Sequence, residues 1–125
     1  MSTAAFERRR RAERQGRAAE TLAALYLRLK FYRILARRFR AATGEIDLIA
    51  KRGRCLIFVE VKRRGTRAAA AGSISAASRR RILRTAALFL AQNPHLAGCE
   101  LRLDAVLMAP GAWPSHIQGA WSETR

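Results

Sequence analysis

Two carboxylates that meet across a pair of strands can share a divalent cation, and GEIDLIAKRGRCLIFVEVKRR, residues 44–64, has the residue types and spacing for that chemistry. If Arg52 and Gly53 form a two-residue turn, Glu45 faces Glu60 and Asp47 faces Phe58 across a hairpin. Side chains alternate along a strand, so Glu45, Asp47, Phe58, Glu60 and Lys62 share one side. Asp47 and Glu60 are then diagonal neighbours, with Cβ atoms roughly 7 Å apart. Ile46, Leu48, Ile57, Val59 and Val61 fill the opposite face and pack it on a core. The chain has only nine acids and places three of them here, where like charges repel and a divalent cation would relieve them. The competing reading is a hairpin with one solvated face, on which Glu and Lys are plain surface residues.

The elements that must hold this hairpin are legible around it. Residues 1–16 are Arg-rich and poor in large apolar groups, the pattern of a basic arm that is partly helical and partly disordered, ahead of a domain over 17–125. RAAETLAALYLRLK places Ala18, Leu22, Leu25, Tyr26 and Leu29 on one helical stripe, expected to face the core. FYRILARRFR alternates Tyr32, Ile34 and Ala36 against charged neighbours, as a half-buried strand does. A small, basic and aperiodic stretch follows the hairpin. From Ala76 to about Gln92 a second helix presents Ile82, Ala86, Phe89 and Leu90 to a core, with Arg80, Arg81 and Arg84 on its other face. Asn93 and Pro94 end it. ELRLDAVLM puts Leu101, Leu103, Ala105 and Leu107 on one face of a fourth strand, and residues 116–121 offer a short edge strand. The expected fold is α/β, a single mixed sheet flanked by helices, in the order α-β-β-β-α-β with one further edge strand.

Composition says what such a domain meets. Against nine acids stand 25 basic residues, a net charge of +16; only three are lysines, leaving 22 arginines, whose planar fork suits phosphate. An excess of this size points to a polyanion, nucleic acid before an anionic membrane surface. Cys55 and Cys99 are isolated, which argues against a zinc site or disulfide framework and fits a reducing cytoplasm. No apolar run approaches the roughly 18 residues of a membrane span, and the first residues lack a signal peptide's apolar core.

An acid on a helix, an Asp on one strand and Glu-x-Lys on the next resembles the PD-(D/E)xK pattern of restriction-endonuclease-like nucleases. More narrowly, GEIDLIA followed by FVEVKRR, then RRRILRTAALFL and LRLDAVLM, resembles the YraN-like family of small bacterial proteins, thought to be related to Holliday junction resolvases. The resemblance covers roughly residues 16–121. It implies that Asp47 and Glu60 bind Mg²⁺ or Mn²⁺ with the backbone carbonyl of Val61, and that Lys62 orients or helps activate the attacking water. Glu45 is implied either as an acid that supports the ligands or as a further ligand. Glu20 corresponds to the helix acid. Helical arithmetic sets it nearly opposite the Leu22 stripe, which favours solvent, whereas Ala24 and Leu27 near that face argue that it is covered.

The sequence departs from the family where SRRR stands at the head of the second helix in place of the usual Lys, and where LRLD replaces a more typical Arg-Phe-Asp. Asp104 reads as a structural partner for an Arg, the isolated His95 and His116 as non-catalytic, and Trp113 and Trp121 as residues that pack the C-terminal segment onto the sheet, ahead of stacking on bases. Three functions follow from these readings. The first is a metal-dependent endonuclease of the resolvase type, with Arg63, Arg64, Arg67, Arg80, Arg81 and Arg84 gripping the phosphate backbone of DNA more than RNA. The second is a nucleic-acid-binding module on the same fold without significant cleavage, and the third a basic RNA or protein interaction factor. A homodimer is implied by analogy with the resolvases, since a junction has two strands to cut.

Overall fold

The structure, a computed structural model, describes residues 3–63 and 76–120. Helix α1 spans Thr3–Leu29, strands β1, β2 and β3 span Arg33–Ala41, Gly44–Arg52 and Cys55–Arg63, helix α2 spans Ala76–Gln92, and β4 and β5 span Glu100–Met108 and Ser115–Ile117. They form one five-stranded sheet in the order β1-β2-β3-β4-β5. Neighbours are antiparallel except β3 and β4, which are parallel. A parallel pair needs a long crossover, and the connection carrying α2 supplies it. This is the expected α/β class with a mixed sheet, consistent with a restriction-endonuclease-like core.

Both sheet faces are covered, as a strand flanked on both sides requires. Leu48, Ala50, Ile57, Val59 and Val106 pack with Ala19, Ala23, Ala24 and Leu27 of α1. Ile49, Leu56, Phe58 and Leu103 pack with Ile82, Ala86 and Phe89 of α2. Residues 56–59 and 103–106 are therefore buried in unbroken runs, and the single apolar face read for each strand is corrected to two.

Helix α1 presents a different face from the one its leucines suggest. Leu22, Leu25 and Leu29 are 54 %, 47 % and 70 % exposed, whereas the small Ala19, Ala23 and Ala24 meet the sheet. Alanine lets a helix lie close on a sheet, and one large side chain, Leu27, fills the space that remains. The displaced leucines line, with Tyr26, Met108 and the 109–114 turn, an open apolar groove of about 510 Å³.

The hairpin turn also moves. Arg52 pairs with Cys55, so the two-residue loop is Gly53–Arg54, with Gly53 at φ +60, where glycine carries no Cβ penalty. Every cross-strand partner shifts by two residues from the expected register, so Asp47 does not face Phe58 and Glu45 does not face Glu60. A shift of two leaves each side chain on its face. A second irregularity does not: Ala36 and Phe39 of β1, and Ile46 and Ile49 of β2, are three apart yet share the α2 layer. Alternation therefore slips near Arg38 and Asp47, and Ile46 lies on the α2 side and not with Leu48.

Candidate metal and nucleic-acid site

Asp47 sits where β2 and β3 part. Their ladder is last paired at Leu48 and Val59; one step on, Asp47 comes opposite Glu60. There the Asp47 side chain replaces a strand: its Oδ2 accepts the Val61 N–H at 2.8 Å. Glu60 projects toward α2 and lines a cleft of about 220 Å³ with Gly44, Glu45, Arg81, Ile82 and Thr85. Thr85 holds one wall: it donates to the Arg81 carbonyl and shares a 2.7 Å hydrogen bond with the Thr43 hydroxyl. Gly44, at φ +149, passes so close that a Cβ there would lie 3.4 Å from Thr85 Oγ1.

The inverted α1 face carries Glu20 inward, to 7 % exposure. Its Oε1 lies 3.0 Å from Arg38 Nε, and the same Nε is 3.9 Å from Glu45 Oε2. Glu45 is half-exposed and accepts a hydrogen bond from Arg40 Nε at 3.2 Å. Lys62 Nζ stands 3.9 Å from Glu60 Oε2. The four expected acids and the lysine are thus in one neighbourhood, with Glu20 and Glu45 drawn to arginines of β1.

Burial and the charge of Glu60 push the Asp47 carboxyl up to about 7, against the lowering effect of the Val61 N–H; Glu20 and Glu45 add to the rise. Glu60 is also raised, by burial first; Lys62 opposes the rise, and Glu45 and Glu20 reinforce it. Half-buried carboxylates that resist ionisation are short of positive charge. Among the described residues no three His, Cys, Asp or Glu side chains converge as a ready-made metal cage. Two carboxylates and a carbonyl, with waters completing the shell, are a donor set that Mg²⁺ takes. Asp47 and Glu60 fit such an ion.

Arg81 lines the cleft, and Arg80 and Arg84 are exposed on the same helix. Arg63 ends β3 and is exposed; Arg64 and Arg67 lie outside the described residues, as does Trp121.

Sequence reasoning missed a second polar cluster, away from these acids. Asp104, fully buried, accepts two hydrogen bonds from Arg102 (2.8 and 2.9 Å), one from the Gly119 N–H (2.9 Å) and a 2.7 Å contact with His116 Nε2. Burial alone would raise its carboxyl, but the bonds from His116, Arg102 and Gly119 outweigh it and hold it at about 2. The Nδ1 of His116 also meets Lys30 Nζ at 2.6 Å. Arg102 also donates to the Tyr32 hydroxyl, so the network ties β4 to β5 and to the end of α1. Asp104 as an arginine partner is the role read from the sequence; the histidine carried no signal, because its partners lie 12 and 86 residues away.

The pattern described as "Uncharacterised protein family UPF0102" matches residues 19–108. Among relatives, a UPF0102 protein of Methylorubrum extorquens (strain PA1) is 54 % identical over 114 residues, 91 % of this chain and 89 % of that protein. Another, of Parvibaculum lavamentivorans, is 51 % identical over 110 residues, 88 % of this chain and 83 % of that protein. A third, of Methylobacterium nodulans, is 51 % identical over 117 residues, 94 % and 91 % of the two chains. The resemblance carried by GEID and VEVK is thereby borne out: the chain belongs to the uncharacterised protein family UPF0102, the YraN-like family.

Proposed function

We propose that the chain is a metal-dependent endonuclease of the resolvase type, acting in the cytoplasm on phosphodiester bonds of structured or branched DNA. The observation that carries this reading is the parting of β2 and β3 at Asp47 and Glu60, which leaves two charge-starved carboxylates, Glu60 lining a cleft and Lys62 3.9 Å from it. Asp47, Glu60 and the carbonyl of Val61 would hold Mg²⁺ or Mn²⁺, with Glu45 as a supporting acid. Bound there, the ion would supply an acidified water and neutralise charge gathering on the phosphate. Lys62 orients the attacking water and steadies the anionic phosphate through its ammonium donors. Glu20 serves the site by holding Arg38.

Arg81 at the cleft, with Arg80 and Arg84 on the same helix and Arg63 at the end of β3, grips the backbone. None of these placements reads base edges, so DNA shape selects the substrate. A four-way junction has two strands to cut, and a homodimer is the assembly that suits it. No described helix is long and apolar enough to cross a membrane.

The test is incubation with four-way junctions, flaps, linear duplex and RNA in Mg²⁺ or Mn²⁺, beside Asp47→Ala, Glu60→Ala and Lys62→Ala. Cleavage by the wild type that disappears in all three variants while binding persists is the expected result. Absence of cleavage by pure wild type on every substrate refutes the enzyme; tight, salt-sensitive binding would then leave a nucleic-acid-binding module.

A further inference from the structure

Among the described residues, two that are not glycine hold a left-handed backbone, Arg38 at φ +54 and Phe31 at φ +71. Contacts account for Arg38, whose Nε lies 3.0 Å from Glu20 on α1 and 3.9 Å from Glu45 on β2. Phe31 differs. The chain turns there from α1 into β1: the Tyr32 N–H donates to the Leu27 carbonyl at 3.0 Å, the Phe31 N–H to the Arg28 carbonyl at 2.9 Å, and Tyr32 and Leu27 share one apolar cluster. Those bonds close a helix by a motif that needs a left-handed residue at position 31, and glycine takes that conformation without strain. A phenylalanine crowds its own backbone there, and at 85 % exposure it gains nothing from burial. Backbone and packing both disfavour the residue the sequence carries. Strain without a local gain is found where a side chain meets a ligand.

The surroundings of Phe31 are basic. Arg28, Arg33 and Arg52 are exposed. Arg52 donates to the Lys30 carbonyl at 3.1 Å and lies over the Tyr32 ring at 4.4 Å, which fixes its guanidinium beside the turn. Lys51 pairs with Arg33 across β1 and β2. One acid reaches this end of the sheet, Glu100, whose N–H meets the Arg54 carbonyl. Phe31 is not among the residues that line the α1 groove, so it is no part of a broad apolar face of the kind a bilayer takes. A lone aromatic face held out among guanidinium groups suits a polyanion that offers flat rings of its own.

Resting on the nucleic-acid reading above, and not on its metal, we propose that Phe31 stacks on an unpaired base while Arg28, Arg33 and Arg52 hold the flanking phosphates. This contact lies at the hairpin end of the sheet, roughly 20 Å along β1 from the acids. It recognises a bulge or branch, while the α2 arginines grip duplex.

The test is binding in chelator of plain duplex, bulged duplex and a four-way junction by the full chain, Phe31→Gly and Phe31→Tyr, followed by fluorescence anisotropy. A 2-aminopurine at the bulge reports stacking. The expected pattern is a loss of about 5- to 100-fold on bulged DNA in Phe31→Gly, with duplex affinity unchanged and Phe31→Tyr like the wild type. The wild type quenches 2-aminopurine and Phe31→Gly does not, although Phe31→Gly melts at or above the wild-type temperature. Equal affinity of Phe31→Gly and wild type for bulged DNA, or a lower melting temperature in Phe31→Gly, overturns the inference and leaves the nucleic-acid reading standing. Loss of binding to phosphatidylglycerol vesicles in Phe31→Gly, with bulged-DNA binding unchanged, overturns it in favour of a lipid surface. No binding of any DNA by the wild type overturns the nucleic-acid reading, and the inference with it.

Discussion

Asp47→Asn should make the metal-free chain more stable in mildly alkaline solution, the reverse of the usual cost of altering a buried polar group. The ordinary aspartate value is 3.8, and burial beside Glu60 lifts Asp47 to about 7. At 1.36 kcal/mol per decade, the folded state bears a penalty of about 4 kcal/mol once the carboxyl is ionised. The sign follows from proton counts. Below about pH 4 both states are protonated and no penalty exists. Between 4 and 7 the unfolded chain releases its proton while the folded chain keeps it, so stability falls as pH rises; above 7 the full penalty stands.

Asn keeps an acceptor for the Val61 N–H and has no charge to lose. Urea unfolding in chelator should give matching midpoints near pH 4 and a gap that widens to about 4 kcal/mol at pH 8, roughly 1.3–4 M urea. Mg²⁺ at ten times its dissociation constant should return about 1.4 kcal/mol to the wild type at pH 8 and nothing to the variant. Equal stabilities at all pH values, or a less stable variant at pH 8, would refute the account of charge starvation at this site.

In the Asp104 cluster the dependence runs the other way. The folded carboxyl lies at about 2, so its stabilisation is present above about 4 and lost as pH falls through 2; Asp104→Asn should cost about 3–5 kcal/mol at pH 7 and much less near pH 2, read from urea midpoints. Leu27→Ala should destabilise by about 2–5 kcal/mol, whereas Leu29→Ala, on the outward face, should change stability by less than about 0.5 kcal/mol in the same assay. Replacing Arg80, Arg81 and Arg84 together by Ala should weaken duplex binding uniformly across sequences and flatten the slope of log affinity against log salt by up to about 2.7; an unchanged slope would remove that helix face from the interface.

The site was legible because its key property is one of parity. The turn lies one residue on from the expected position and shifts cross-strand partners by two, an even displacement that keeps β3 and the inner part of β2 on their faces. At Asp47 alternation slips, and its bond to the Val61 N–H holds it beside Glu60. The α1 stripe was misread because leucines and alanines recur with the same helical period. Period gives the angle between faces, whereas the space above the sheet decides which face goes in. The inward position of Glu20 follows from the leucines turning out. Arg38 was beyond reach, since nothing in ARRFR marks one arginine for a left-handed backbone. His116 was equally hidden, as its partners come together only when β4 receives β5.

The slip in alternation near Arg38 and Asp47 has a mechanical meaning. The apolar layers under α1 and α2 are separate clusters, joined through the strands between them. Asp47 stands at the point where β2 changes phase between those layers, anchored to β3 by its bond to Val61. One strand, β2, supplies side chains to both layers, so the backbone that carries Asp47 is packed from two sides at once.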